Sequence, residues 1–171
     1  GSVLLSLGTG ALLGLAGAGA QAASGIAEIV EDAVEGRLEA LWVFGHDLTA
    51  SVDPQTLQEL SKKLRLFVFS GTNENPTAAL AHWALPTAAY AGQDGTFVNA
   101  GGQVQRIGRA FAPLGDSRED WRVLLDVATE LDQPMSGRNP QEIFLAMTKA
   151  VAPLHGLSYD AIGSQGAPVR P

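Results

Sequence analysis

The sequence predicts an α/β domain, three layers thick, around a mostly parallel sheet, with helices at its carboxyl end. Three observations carry this. Ala40–Phe44 and Arg65–Phe69 are short apolar runs closed by small residues, the pattern of strands covered on both faces. Between them stands an amphipathic stretch of helical period, 54–64, and another, 26–34, precedes them. Strands alternating with helices at this rhythm give βαβ units, a parallel sheet and right-handed crossovers.

The elements follow in order. Gly1-Ser2, with no initiator methionine, reads as the remnant of a cleaved tag ahead of a segment of a longer protein. No charge appears before Glu28, so residues 3–27 are long enough for a membrane span. The small residues of AGAGAQAA also suit a signal-peptide cleavage region, and Gly10, Gly14 and Gly17 suit small-residue helix contacts. No Lys or Arg precedes the stretch, and its many glycines make a poor helix in water. The reading is therefore a buried strand, Val3–Leu7, and a glycine-rich connection. Gly17–Ala22 matches the G-x-G-x-x-A dinucleotide fingerprint, which needs a strand directly before it. Leu7 lies ten residues ahead of Gly17, so the match reads as a coincidence of composition.

Ile26, Ile29, Val30, Ala33 and Val34 share one helical face, with Ser24 as N-cap and Gly36 as stop. The carboxylates Glu28, Glu31, Asp32 and Glu35 read as a solvated face rather than a metal site. After the strand 40–44, Asp53-Pro54 starts a helix with Leu57, Leu60 and Leu64 inward. A strand at 65–69 follows. Next come a short helix after Pro76, a strand at Trp83–Leu85, and an extended segment after the Asp94-Gly95 turn. A helix over about 118–131 carries Trp121, Leu124, Leu125, Ala128 and Leu131 inward, and one from Asn139-Pro140 buries Ile143, Phe144, Met147 and Val151. Residues 152–171 read as an irregular tail with a helical turn at Tyr159–Ile162. The organisation is thus 1–25 scar, strand and connection, 26–151 domain, and 152–171 tail.

Composition narrows the chemistry. A net charge of −7 argues against nucleic acid as a partner. With no cysteine, these residues offer no thiolate for an iron–sulfur cluster, zinc site or nucleophile. His46, His82 and His155 stand in no metal-binding spacing, and no P-loop or G-x-S-x-G motif occurs. In parallel sheets ligands sit beyond the carboxyl ends of the strands. The candidate ligand loops are therefore Gly45-His46-Asp47 and the one running through Gly71, Thr72 and Asn73, with no catalytic residue assigned in either. Arg106 and Arg109 read as a solvated pair, or as groups facing an anion or a neighbouring domain. Trp42, Trp83 and Trp121 read as core.

Leu41-Trp42-Val43-Phe44-Gly45, Thr77–Ala81, Leu85-Pro86, Asp94-Gly95-Thr96-Phe97, Asn99 and Val104-Gln105 stand in an order that resembles the molybdopterin oxidoreductase family. Asp120-Trp121, Gln141-Glu142-Ile143 and Gly156–Tyr159 extend the resemblance, which covers roughly 26–165. It implies a Rossmann-like domain of the formate dehydrogenase/DMSO reductase type. Within the family the chain is most similar to the C-terminal region of the large iron–sulfur subunit of bacterial NADH-quinone oxidoreductase (complex I), which keeps the domain without the molybdenum cofactor. Cofactor-binding members carry an acidic residue for the guanine of the molybdopterin guanine dinucleotide where this chain has Gly71. Gly92, Gly101 and Gln103 stand where charged residues are common in the family. The resemblance thus implies a structural, non-catalytic domain without molybdopterin or metal, whose iron–sulfur clusters lie elsewhere in the full subunit. Its implied partners are the remaining domains of that subunit and other peripheral-arm subunits. Its implied location is the cytoplasmic side of the inner membrane, without insertion into it. The alternatives are the guanine-dinucleotide-binding domain of a molybdenum-dependent formate dehydrogenase or nitrate reductase type enzyme, and a free-standing nucleotide-binding protein.

Overall fold

The computed structural model describes residues 3–7, 25–99 and 101–169, the first of these as backbone alone. The chain divides after Pro86 into two compact units. That division lies inside the span 26–151.

The first unit is a four-stranded, wholly parallel sheet in the order β1-β2-β3-β4: Val3–Leu7, Ala40–Phe44, Leu66–Gly71 and Trp83–Pro86. The α/β class and parallel sheet expected from the sequence are what the chain forms. The strand at Val3–Leu7 is present, and the N-cap of the helix that follows is Gly25 rather than the expected Ser24, while the glycine contacts and Gly17–Ala22 lie outside the described residues. Helices α1 (Ile26–Val34), α2 (Pro54–Lys63) and α3 (Pro76–Leu80) connect the strands. Their apolar stripes meet alternate strand residues: Ile29, Val30, Ala33, Leu57 and Leu60 pack with Leu41, Val43, Phe67 and Phe69. Asp53 caps α2 by accepting from the Thr56 amide at 2.9 Å, and Pro54 starts the helix as its sequence predicts. Lys63 donates to the Val34 carbonyl at the end of α1, tying the two helix ends together. Between strands, the Trp42 indole N–H donates to the fully buried Ser70 hydroxyl at 2.7 Å.

The second unit holds an antiparallel sheet, β5-β6-β7: Gly95–Val98, Gln103–Ile107 and Ala167–Pro168. Asn99 shapes the β5–β6 turn, its side-chain oxygen accepting from the Gly101 and Gln103 amides at 2.9 and 3.0 Å. Gly102, at φ +74°, completes it. Helices α4 (Asp120–Glu130), α5 (Pro140–Ala150) and α6 (Tyr159–Ile162) complete the unit around Val104, Phe144, Leu154 and Ile162.

Three expectations change. The tail is not wholly irregular, because Ala167–Pro168 pairs with β6. Gly166 makes this possible: at φ +84°, a Cβ there would stand 2.6 Å from the Val104 carbonyl oxygen. On α4 only Val123 is buried, and Leu131 is 68% exposed. Of that stripe, Trp121 and Leu125 border an open cleft. Trp83 is 66% exposed rather than core, because β4 is the last strand of its sheet among the described residues.

Candidate functional site

The topology brings both predicted ligand loops to one end of the first sheet. β2 and β3 run parallel in register, Phe44 opposite Ser70, and the Gly45 amide donates to the Ser70 carbonyl at 2.7 Å. Gly45, His46 and Asp47 therefore lie beside Gly71, Thr72 and Asn73. Gly45 turns the chain at φ +61°, a conformation that favours glycine.

Asp47 holds its loop through one carboxylate oxygen, Oδ1. Its carboxylate accepts from the Thr49 amide at 3.1 Å and from the Thr77 hydroxyl at 2.9 Å, capping a 3₁₀ turn over Leu48–Ala50. Thr77, fully buried at the start of α3, also accepts from the Leu48 amide at 2.8 Å. Burial pushes the Asp47 carboxyl up, but hydrogen bonds from Thr49 and Thr77 and the charge of His46 outweigh it. Its pKa lies below the ordinary value. Asp47 and Thr77 form a latch between the two loops, and sequence reasoning placed only the first of them.

The remaining positions are sparse in chemistry. His46 is half-buried, its Nε2 shielded and without a hydrogen-bond partner among the described residues. Thr72 and Asn73 are exposed and bonded to each other at 3.2 Å. Gly71 is closed in: a Cβ there would meet the Phe69 ring at 2.5 and 2.6 Å. The space a longer side chain at 71 would need is filled by that aromatic edge. His82 serves the sheet, its Nδ1 accepting from the Phe67 amide at 3.0 Å. Among the described residues no three His, Asp or Glu side chains converge as a metal-binding group. No described helix is long and apolar enough to cross a membrane.

In the second unit, polar groups gather around the Asp94-Gly95 turn. The Asp94 amide donates to Glu119 at 3.0 Å, and the Asp94 carboxylate accepts from the Arg109 amide at 2.8 Å. Glu119 is 3% exposed, a buried carboxylate that the sequence did not single out. Its neighbour Asp120 has one carboxyl oxygen shielded and unpartnered among the described residues. Burial pushes that carboxyl up to about 6, against a hydrogen bond from Thr87 that lowers it. Arg106 lies 4.5 Å over the Tyr159 ring, whose phenol is raised by burial. Arg106 and Arg109 are thus not a simple solvated pair. Arg106 stacks on an aromatic ring beside an open cleft of about 550 Å³, and Arg109 borders a second cleft of about 660 Å³.

The family model for molybdopterin oxidoreductases matches residues 8–130. The chain is 32% identical over 149 residues to a Staphylococcus aureus (strain USA300) protein that carries the provisional name formate dehydrogenase, covering 84% of this chain and 15% of that protein. It is 31% identical over 143 residues to the alpha subunit of the NADPH-Fe(3+) oxidoreductase of Geobacter sulfurreducens, covering 83% and 16%. The chain therefore spans less than a fifth of the length of these relatives. A match over most of the described fold, joined to a parallel sheet with its loops at the expected end, identifies the lineage: the chain belongs to the molybdopterin oxidoreductase family.

Proposed function

We propose that this chain is a structural α/β domain in the large iron–sulfur subunit of an NADH-quinone oxidoreductase, keeping the molybdopterin-type fold without the cofactor. The observation that carries this reading is Gly71 at the end of β3, packed under the Phe69 ring. A guanine held there needs a carboxylate to accept its N–H groups. Position 71 supplies none, and the room for one is filled. The nearby Asp47 has one oxygen, Oδ1, engaged by Thr49 and Thr77. That end of the sheet, in this reading, binds no guanine dinucleotide, and no chemical step is assigned to one. In this reading the domain packs against the rest of its subunit and other peripheral-arm subunits on the cytoplasmic side of the inner membrane. The electrons pass through clusters in other parts of the subunit.

The relatives favour a second reading. One carries the provisional name formate dehydrogenase, so the chain would be the nucleotide-binding domain of a molybdenum-dependent dehydrogenase. The two differ in what the full-length protein contains. Elemental and pterin analysis of that protein is expected to find iron with molybdenum at background. Stoichiometric molybdenum with pterin overturns the first reading and supports the second.

A further inference from the structure

Four of the chain's 11 basic residues, Arg109, Arg118, Arg122 and Arg138, line the open cleft of about 660 Å³ in the second unit. The whole chain carries −7, so this gathering runs against its general charge. Two carboxylates, Glu119 and Asp126, share the lining, and Asp94 pairs with Arg109 from beside it, so the four arginines exceed their carboxylates by one. Their hold on the arginines is loose. Arg118 stands 3.2 Å from Asp126 and Arg122 3.5 Å from Glu119, while Arg109 stands 3.7 Å from Asp94. Those arginine side chains are 64%, 56% and 43% exposed; the Arg118 and Arg109 pairs are exposed on both sides and of the solvent-screened kind that contributes little, while Arg122 faces the buried Glu119. Each guanidinium keeps further N–H donors in its planar fork, the geometry that matches phosphate or carboxylate oxygens. Arg138 has no carboxylate in ion-pair range among the described residues. Trp121 adds a wall to the cleft. Its indole N–H is shielded and unpartnered among the described residues, and Arg122 lies 4.9 Å over its ring.

We propose that this cleft binds a small multivalent oxyanion, a di- or triphosphate or a polycarboxylate, gripped by the four guanidinium groups. One negative charge is too few, because Glu119 and Asp126 already compete for the same donors. The proposal does not depend on the cofactor reading above.

Calorimetric titration of the full chain with pyrophosphate, and separately with citrate, tests it and distinguishes the phosphate from the carboxylate source. Saturable binding is expected with at least one of them, weakening as salt rises. Arg118→Gln and Arg138→Gln should each weaken binding about tenfold, the loss of a charge-assisted contact. Asp126→Asn should tighten it by removing a competitor, and Arg65→Gln in the first unit should leave it unchanged. Melting curves without anion verify that each variant folds. No saturable heat with either anion at millimolar concentration overturns the proposal, as does binding indifferent to Arg118→Gln and Arg138→Gln. Binding of poly-glutamate that neither small anion displaces also overturns it, making the cleft a docking surface for an acidic protein segment.

Discussion

Thr77 shows how much one side chain can hold. Its hydroxyl accepts from the Leu48 amide and donates to Asp47, and it is fully buried. Thr77→Val keeps the shape but strands the Leu48 N–H, so it should cost about 1–3 kcal/mol in urea unfolding, while Thr77→Ser should keep most of the stability. Asp120 gives a pH-dependent counterpart. Its carboxyl sits at about 6 instead of the ordinary 3.8, so between those values the folded chain holds a proton that the unfolded chain has released. Its contribution is full below the unfolded value and is lost as pH rises through the folded one. A shift of about two pH units bounds the effect at ~3 kcal/mol. Asp120→Asn removes that loss: its melting temperature should match the parent near pH 3.8 and exceed it well above pH 6. An equal gain at both pH values would assign the effect to packing. The sequence identified Asp47 as a loop residue, but its commitment to Thr77 lies thirty positions away. No local pattern records such a bond.

Among the elements, the caps and starts were the most legible. Asp53 and Asn139 each accept from a backbone amide three residues on, a contact wholly inside the local sequence. Asn139 also donates to Glu142, so Asn139→Ala should destabilise the second unit by ~1 kcal/mol, measurable as a shift in its denaturation midpoint. The parallel strands were legible for the same reason: continuous apolar runs need no partner to be recognised. Strand β7 was not. Its partner β6 is far back in the chain, as the bond from Gln103 to the Gln165 carbonyl, 62 residues apart, makes plain. Helix α4 taught a different lesson. Periodicity says which side of a helix is apolar, and only tertiary structure says whether that side is covered. Trp121 and Leu125 line a cleft instead.

For the whole molecule, composition and topology answer different questions. The net charge of −7 and the absence of cysteine bound the chemistry without indicating a site. The topology then placed six candidate positions at one sheet end, where the Phe69 ring packs on Gly71. The arginine cleft was half legible. Arg109 drew notice in the sequence, but its companions Arg118, Arg122 and Arg138 come from separate segments that only folding gathers. Family membership follows from the ordered motifs and the sheet together.

One feature of the first unit bears on how the protein behaves in bulk. Among the described residues, β4 leaves a row of backbone donors and acceptors along a sheet margin, with the Trp83 ring beside it. Such a margin invites a second chain to add its own strand, the route by which soluble domains become fibrils or gels. Here the margin is only four residues long and ends at Pro86, which cannot donate. The brevity of β4 and its terminal proline therefore act as a colloidal safeguard, limiting how far any intermolecular ladder could grow.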